Sequence, residues 1–216
     1  MSDTQQLIFG YGSLIESQSR AAVSPSALNA SPVNVVGLQR GWFGRLGGPS
    51  LSTTYLAAVP EPGSNSNGVI FKVSQLQLEA FDKHETGYKR ERIDQENITM
   101  LDGSESAPDG NIWFYANAEK RFASPEFPII QSYVDICLNG CLEIEAAFPL
   151  AKEAAFAETF LKTSTNWSKY WVNDRIYPRM AYLYQPNASR IDELIRNVLG
   201  EEMFSNIRIE PASWEA

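Results

Sequence analysis

The sequence predicts an α+β protein, with a small, closed or highly curved β-sheet in its first half and mainly helices in its second half. Short apolar or β-branched runs, bounded by Gly, Pro, Asn and Ser, dominate the first half of the 216 residues and are typical of strands. Apolar residues at helical spacing dominate the second half. Strands and helices that occupy separate parts of the chain, rather than alternating, indicate the α+β class.

Five or six strands are predicted from these runs. The stretch Pro60–Asn67, rich in turn-forming residues, separates two of them and is predicted to be a loop. The alternation of apolar and polar residues is imperfect in the run that begins at Ile93. In chain order the predicted strands are Leu7–Tyr11, Val33–Leu38, Thr53–Val59, Val69–Val73, Ile93–Met100 and Ile112–Tyr115.

Four helices are predicted. The first follows Ser74, which with Gln77 has the spacing of a capping box, and it should end near His84, shortly before Gly87. The last should begin at a Ser189 cap and stop at Gly200. The three later helices are predicted over Pro128–Ile144, Ala151–Thr163 and Ser189–Leu199.

The charge balance limits the kinds of partner. The chain has 18 Lys and Arg against 26 Asp and Glu, a net charge of −8, which argues against non-specific binding to nucleic acid or to anionic membranes. No apolar run approaches the roughly 18–20 residues of a membrane span. The first residues carry neither a basic region nor an apolar stretch, so we expect no secretory signal and a cytoplasmic location.

Few residues are available to bind a metal. His84 is the single histidine, and Cys137 and Cys141 are the two cysteines, so neither a multi-histidine nor a four-cysteine zinc site is possible. The cysteines are four apart on a predicted helix, where such residues usually behave as small buried hydrophobes. We therefore expect no metal site of these kinds, and we expect the chemistry to depend mainly on carboxylates, hydroxyls and backbone amides.

The first candidate site is the segment from Leu7 to Leu14, LIFGYGSL. An apolar strand leads into two glycines that flank Tyr11, and a serine hydroxyl follows. Glycines here permit positive φ and let backbone N–H groups approach an anion closely. The segment lacks the third glycine of a dinucleotide fingerprint and the lysine of a P-loop. A plain tight turn is the alternative.

The second candidate is Glu85. Leu78, Phe81 and Glu85 are spaced three and four residues apart, so they share one face of the predicted helix. This places the carboxylate at the end of an apolar stripe, where desolvation and the negative end of the helix disfavour its charged form. A proton shuttle at neutral pH needs such a group. The alternative is a structural glutamate that pairs with a nearby Lys or Arg.

These motifs, in this order, resemble the γ-glutamylcyclotransferase-like superfamily. It includes the γ-glutamylcyclotransferases, the γ-glutamylamine cyclotransferases and the glutathione-degrading ChaC type. The spacing from Glu85 to Tyr88 suits the ChaC-like or amine-type members, and the resemblance covers about residues 6–163. It is carried by Phe9–Leu14, by Asp82, Glu85, Gly87, Tyr88 and Arg90, by Phe114–Ala116, and by Ser124, Pro125, Ser132, Tyr133, Gly140 and Glu143.

The resemblance implies a cofactor-free reaction on a small γ-glutamyl substrate. A glutamate takes a proton from the substrate α-amino group, the amine attacks the γ-carbonyl, and 5-oxoproline forms as the leaving amine departs. Glu85 matches this glutamate. By the same resemblance, the substrate-binding residues are Tyr11, Gly12, Ser13 and Leu14, whose backbone amides hold the α-carboxylate or the oxyanion, and Tyr88, Tyr115 and Tyr133, which line the pocket.

Residues 1–165 are therefore expected to form a γ-glutamylcyclotransferase-like domain with a mixed, barrel-like sheet and flanking helices. Residues 166–216 are expected to form a helical extension packed on it. The aromatic-rich segment Trp167–Tyr184 could cover the pocket, make an oligomer contact or simply pack, and Arg175 and Arg179 could add charge to the site. A non-catalytic binding module, and an amide hydrolase or transferase, are the functional alternatives. The leaving group and the oligomeric state stay open.

Overall fold

The structure, a computed structural model, describes residues 4–23, 25–45, 52–84, 88–117, 119–180 and 186–209. Within these residues the chain forms an α+β fold with a seven-stranded mixed sheet, a second sheet of three short strands, and helices that flank them. The strands are β1 (Gln6–Gly10), β2 (Ala30–Gly44), β3 (Tyr55–Val73), β4 (Lys89–Ile93), β5 (Ile98–Met100), β6 (Asn111–Ala116), β7 (Ile129–Ile130), β8 (Ser164–Thr165), β9 (Trp171–Asn173) and β10 (Arg208–Ile209).

The helices of the described residues are mostly in the second half of the chain, as the sequence predicts. Short 3-10 helices occur at Ser13–Ile15, Pro25–Leu28 and Gln95–Asn97. The α-helices are α1 (Ser17–Val23), α2 (Gln75–His84), α3 (Gln131–Ala147), α4 (Pro149–Glu153), α5 (Phe156–Thr163), α6 (Ala188–Leu199) and α7 (Glu201–Ser205). No helix in the described part of the chain is both long and apolar enough to span a membrane.

The larger sheet is strongly curved, and it is not closed. Its strand order is β4-β6-β1-β3-β2-β5, with β8 added to β2. Strand β3 runs antiparallel to β1, whereas at Ala58 it lies parallel to β6, which is itself parallel to β1. The β2–β3 ribbon must therefore bend back on itself. The prediction of a highly curved sheet is confirmed, and the alternative of a closed sheet is wrong.

The bend coincides with the stretch that we predicted to be a loop. Pro60–Asn67 lies inside the 19-residue strand β3, so the predicted strands Thr53–Val59 and Val69–Val73 belong to one continuous strand. The pairing shifts here, because Val36 is opposite Asn65 whereas Leu38 is opposite Pro60. Gly37, at the shift, has a φ of 81°, a left-handed conformation that favours glycine. The turn-forming residues produce a bulge rather than a break.

Four other predicted elements differ from the structure. The run 93–100 is interrupted by a 3-10 helix, because its two ends join different neighbours, β6 for β4 and β2 for β5. The predicted helix over 151–163 is split into α4 and α5, since Ala155 adopts a φ of 47°. The helix predicted over Pro128–Ile144 begins only at Gln131, because Ile129 and Ile130 pair with β9. The cap of α6 is Asn187 rather than Ser189.

The capping box of α2 forms as predicted. The Ser74 N–H donates to Gln77 Oε1 at 2.7 Å, and the Gln77 N–H donates to Ser74 Oγ at 3.2 Å. Leu78 and Phe81 are each 1% exposed, so the predicted apolar face of this helix points into the core. The helix is therefore fixed both at its start and along its inner side.

The C-terminal residues share a hydrophobic core with the rest of the chain. Ile191 and Ile195 of α6 are completely buried, and they belong to the same apolar cluster as Cys137 and Cys141 of α3. Strand β9 adds to β7 in parallel, and β10 adds to β9. The extension thus contains strands as well as the predicted helices. The division at residue 165 stays a prediction.

Helix α3 lies directly against the chain that follows β1. A Cβ atom at Gly140 would be 2.6 Å from the carbonyl carbon of Ile15 and would also overlap the Glu16 amide nitrogen. Such distances are well inside van der Waals contact, so only glycine allows this approach. The close contact fixes the position of the segment before α1.

Replacement of Gly140 by Ala should destabilise the protein. Helix propensity alone favours Gly140→Ala by about 0.5–1 kcal/mol, but the overlap with backbone atoms should cost about 1–3 kcal/mol or more. We expect a net decrease in the free energy of unfolding, measured by urea denaturation.

The reverse substitution in the same helix is the control. Ala146 is exposed, so Ala146→Gly should lose only about 1 kcal/mol of helix propensity. Propensity alone predicts opposite signs for the two changes, whereas the close contact predicts that both destabilise. A more stable Gly140→Ala variant would contradict the contact.

Candidate active site

A cavity of about 360 Å³ lies where the central strand β1 ends. It brings together all seven residues that we predicted to bind substrate. Glu85, the predicted catalytic residue, lies outside the described residues. The lining residues are Ile8, Phe9, Gly10, Tyr11, Gly12, Ser13, Leu14, Ser19, Ala22, Val23, Tyr55, Leu56, Tyr88, Tyr115, Tyr133 and Met180.

The cavity loop, which we define as residues Tyr11–Ile15, directly follows β1, a strand that is buried on both faces. Leu7, Ile8 and Phe9 are at most 1% exposed, and β1 pairs with β3 on one side and β6 on the other. The chain leaves the sheet after Gly10, where a Cβ would be 2.8 Å from the Leu14 Cβ. The loop therefore turns tightly at the end of the sheet.

Gly12 does not adopt the positive φ that we expected. Its φ is −135°, so left-handed geometry is not the reason for a glycine here. The reason is space, because a Cβ would lie 3.0 Å from the Tyr133 hydroxyl and 3.7 Å from the Leu56 Cβ. A side chain at this position would fill part of the cavity.

All five carbonyl oxygens of the cavity loop accept hydrogen bonds from groups that do not line the cavity. Backbone N–H groups supply two of these bonds, and guanidinium groups supply three. Arg40 Nη1 donates to the Tyr11 carbonyl at 3.3 Å, and Arg20 Nη1 donates to the carbonyls of Leu14, at 3.0 Å, and of Ile15. The Ile15 N–H donates to the Gly12 carbonyl and the Glu16 N–H to the Ser13 carbonyl, both at 3.0 Å.

Three N–H groups of the same loop, in contrast to its carbonyl groups, have no hydrogen-bond partner among the described residues. Those of Gly12, Ser13 and Leu14 donate to no group in the described part of the chain. The same three residues line the cavity. Consecutive amides of this kind bind anions, including carboxylates and oxyanions.

Arg40 is a completely buried cation beneath the loop. Besides Tyr11, its donors reach two oxygens of Asn67, at 2.6 and 3.0 Å, and the Phe160 carbonyl at 2.9 Å. It also bonds the hydroxyls of Thr163 and Ser164, both at 2.8 Å. No carboxylate in the described part of the chain pairs with it. Burial lowers the pKa of the Arg40 guanidinium to about 10, which leaves it charged at neutral pH.

Tyr133 connects α3 to the cavity loop. Its side chain shares a hydrogen bond with Ser13, and burial raises the pKa of its phenol well above the usual value. The ring meets Tyr55 edge-on at 5.0 Å and Trp42 edge-on at 5.9 Å, which fixes its direction. Tyr133 is therefore a neutral hydrogen-bonding group at neutral pH.

Tyr115 connects the loop to α2. The Tyr11 hydroxyl donates to the Tyr115 carbonyl at 2.7 Å, and the Tyr115 hydroxyl donates to Asp82 Oδ1 at 2.9 Å. Asp82 in turn pairs with Arg90 Nη1 at 2.9 Å. The ring of Tyr115 stacks on Phe81, 6.3 Å between centroids. These contacts fix the end of α2 that directly precedes Glu85.

Sequence reasoning did not identify several residues that build the site. Arg20 and Arg40 look like ordinary charges in the sequence, and Met180 comes from the distant extension. Ser19, Ala22 and Val23 do show a signal, since their spacing puts them on one face of a helix that directly follows the loop. The described residues contain no cluster of three or more His, Cys, Asp or Glu able to hold a metal.

The fold and the cavity define a small α+β protein with a cavity beside the loop that follows its central strand. The family model described as "Gamma-glutamyl cyclotransferase, AIG2-like" matches residues 8–131, and the chain belongs to this family. Comparison with curated proteins finds no match.

Solved structures share the fold. A gamma-glutamyl cyclotransferase aligns with a TM-score of 0.57 and 14% identity, over 89% of this chain and 99% of that chain. An uncharacterized protein from Homo sapiens aligns with a TM-score of 0.53 and 16% identity, over 71% of this chain and 88% of that chain. The family and the α+β fold with flanking helices are thus confirmed.

Removal of the Arg40 guanidinium should destabilise the whole fold. Arg40→Met leaves buried carbonyl and hydroxyl groups without donors, and each such group costs about 1–3 kcal/mol. We expect the free energy of unfolding, from urea denaturation, to fall by about 3 kcal/mol or more.

Arg190→Met provides the matched control. The Arg190 side chain is 59% exposed and pairs with Glu145 at 3.6 Å, so its loss should cost less than about 1 kcal/mol. Equal, small losses in the two variants would contradict a supporting role for Arg40.

Proposed function

We propose that this protein is a γ-glutamylcyclotransferase-like enzyme that releases 5-oxoproline from a γ-glutamyl amine or peptide. The observation that carries the proposal is the cavity loop, where every carbonyl accepts a hydrogen bond and three successive residues that line the cavity have N–H groups without an acceptor in the described part of the chain. Family membership supports the same reaction class.

The loop amides are the proposed partners of the substrate α-carboxylate. Burial of a carboxylate without partners costs several kcal/mol, and backbone N–H groups supply the required hydrogen bonds. The buried charge of Arg40, joined to the loop through the Tyr11 carbonyl, makes the electrostatic potential there more favourable for an anion. Ser13 and Tyr133 add hydroxyl groups at the same place.

Glu85 is the proposed general base and acid. Three residues, 85–87, join the end of α2 to Tyr88, which lines the cavity. Leu78 and Phe81, on the helix face that leads to Glu85, are buried as the motif predicts. The inward direction of this face supports the assignment.

The proposed reaction needs only proton transfers and ring closure. Glu85 takes a proton from the substrate α-ammonium group, and the free amine attacks the γ-carbonyl carbon to form a tetrahedral oxyanion. Glu85 returns this proton to the leaving nitrogen and takes the second proton from the positively charged ring nitrogen. The bond from the γ-carbon to the leaving nitrogen breaks as the carbonyl re-forms, and the remaining proton departs with the released amine as an ammonium group. The attack is intramolecular, so the enzyme mainly has to fold the substrate and stabilise negative charge.

Removal of the Glu85 base should abolish most of the activity. Glu85→Gln keeps the size of the side chain but cannot accept the proton, so kcat for 5-oxoproline release should fall about 100- to 10,000-fold. Chromatographic detection of 5-oxoproline from a panel of γ-glutamyl compounds measures this.

Glu79→Gln is the matched control on the same helix. Glu79 is exposed, and its replacement should leave kcat unchanged. A Glu85→Gln enzyme with full activity would exclude Glu85 as the base. A wild-type protein that binds γ-glutamyl compounds without turnover would favour a non-catalytic binding module, and release of free glutamate would favour an amide hydrolase.

A side chain at Gly12 should block the carboxylate position. The Cβ of Gly12→Val would meet the Tyr133 hydroxyl, and its methyl groups would occupy cavity space. We expect the affinity for 5-oxoproline, measured by isothermal titration calorimetry, to fall at least about tenfold, a loss of about 1.4 kcal/mol.

The thermal unfolding of the Gly12→Val protein separates this effect from a loss of structure. The variant should keep a cooperative transition, because the added atoms point into the cavity rather than into the core. Undiminished binding by a folded Gly12→Val variant would exclude the loop as the carboxylate site.

A further inference from the structure

The proposed chemistry leaves one wall of the cavity without a role. Ser19, Ala22 and Val23 contribute to it from α1, and their spacing of three and four residues puts them on one helix face. Met180 contributes from the C-terminal extension. Ala22 and Val23 are exposed, with Val23 at 39%, so this wall includes the rim of the cavity.

Ser19 is the hydroxyl-bearing residue of this wall. It is only 6% exposed, and its Oγ is buried without a hydrogen-bond partner in the described part of the chain. The Ile15 carbonyl, four residues earlier, is the usual acceptor for a helical serine, but Arg20 donates to it instead. Because buried hydroxyls are nearly always bonded, the unpaired Ser19 Oγ is a candidate partner for a ligand that packs against this wall.

No cationic side chain contributes to the wall. All 18 lysines and arginines lie in the described part of the chain, and none of them lines the cavity. Arg175, which we had considered as a source of charge, pairs with Asp135 at 2.7 Å and Asp192 at 2.8 Å. Arg179 Nη1 donates to the Ser52 carbonyl at 2.7 Å.

We infer that Ser19, Ala22, Val23 and Met180 form the subsite for the leaving amine, and that the preferred amine carries an uncharged, apolar substituent. This inference rests on the proposed function. The loop amides bind the carboxylate of the γ-glutamyl group, so a second carboxylate on the leaving group would lose hydration against this wall without gaining a cation. An alkyl group would instead bury its apolar surface, and Ser19 Oγ would bond the amide of the scissile bond.

A matched pair of substrates tests the inference. γ-Glutamyl-norleucine and γ-glutamyl-pentylamide differ only in the carboxylate of the leaving group. We expect kcat/KM for 5-oxoproline release to be about tenfold or more higher for the pentylamide, which corresponds to a partial loss of hydration at an open rim.

A cation at the rim should reverse this preference. Val23→Arg should raise kcat/KM for the norleucine compound about tenfold, whereas Val23→Met, which adds bulk without charge, should keep the preference for the pentylamide. Ser19→Ala should raise KM for the pentylamide severalfold, with the 5-oxoproline affinity unchanged because the product lacks the leaving group.

The outcomes distinguish a failure of the subsite inference from a failure of the proposed function. If the wild-type enzyme turns over both compounds equally, or favours norleucine, the subsite inference is wrong and the proposed function stands. If neither compound yields 5-oxoproline but another γ-glutamyl compound of the panel does, the subsite inference is wrong, whereas a panel that yields none refutes the proposed function itself. If the Val23→Arg and Val23→Met enzymes show the same preference for the pentylamide over the norleucine compound, the leaving group binds elsewhere and the subsite inference is wrong.

Discussion

The buried guanidinium of Arg40 is the interaction on which the rest of the structure depends. It joins five separate parts of the chain: the cavity loop, β2 on which it lies, β3 through Asn67, α5 through Phe160 and Thr163, and β8 through Ser164. A buried charge without a carboxylate is expensive, and six hydrogen bonds together with the Phe160 ring at 4.0 Å offset the cost. Such an arrangement tolerates little movement, because each lost bond leaves a buried group unpaired.

This constraint shapes the site. Arg40 and Arg20 take three of the five loop carbonyls, and the backbone takes the others, so the amides are the groups that a ligand can reach. Gly140 lets α3 press against Ile15 and Glu16, which fixes the loop from another side. No lysine or arginine lines the cavity, and the positive charges of Arg20 and Arg40 act on it through their hydrogen bonds to the loop backbone, which suits the α-carboxylate that we propose to bind there.

Local signals in the sequence predicted the parts of the site that depend on local structure. The apolar run before Gly10 and the capping box at Ser74 predicted β1 and α2, and the helical spacing predicted that Leu78 and Phe81 point inward. The role of Arg40 could not be predicted, because its partners Asn67 and Phe160 are 27 and 120 residues away in the chain. The 60–67 stretch was misassigned for a related reason, since pairing with β2 overrides its turn-forming composition.

The extension links the two ends of the cavity. Asp174 is 2% exposed and accepts bonds from the Ser132 N–H at 2.7 Å and Ser132 Oγ at 2.6 Å, and from the Arg179 N–H at 2.8 Å. One carboxylate thus fixes both the start of α3, where Tyr133 follows, and the residue before Met180. The end of the cavity that we propose to bind the γ-glutamyl group is built by β1 and the loop, whereas the wall that we assign to the leaving amine includes Met180 of the extension. Changes in the extension should therefore alter the choice of leaving group while the chemistry at the loop stays the same.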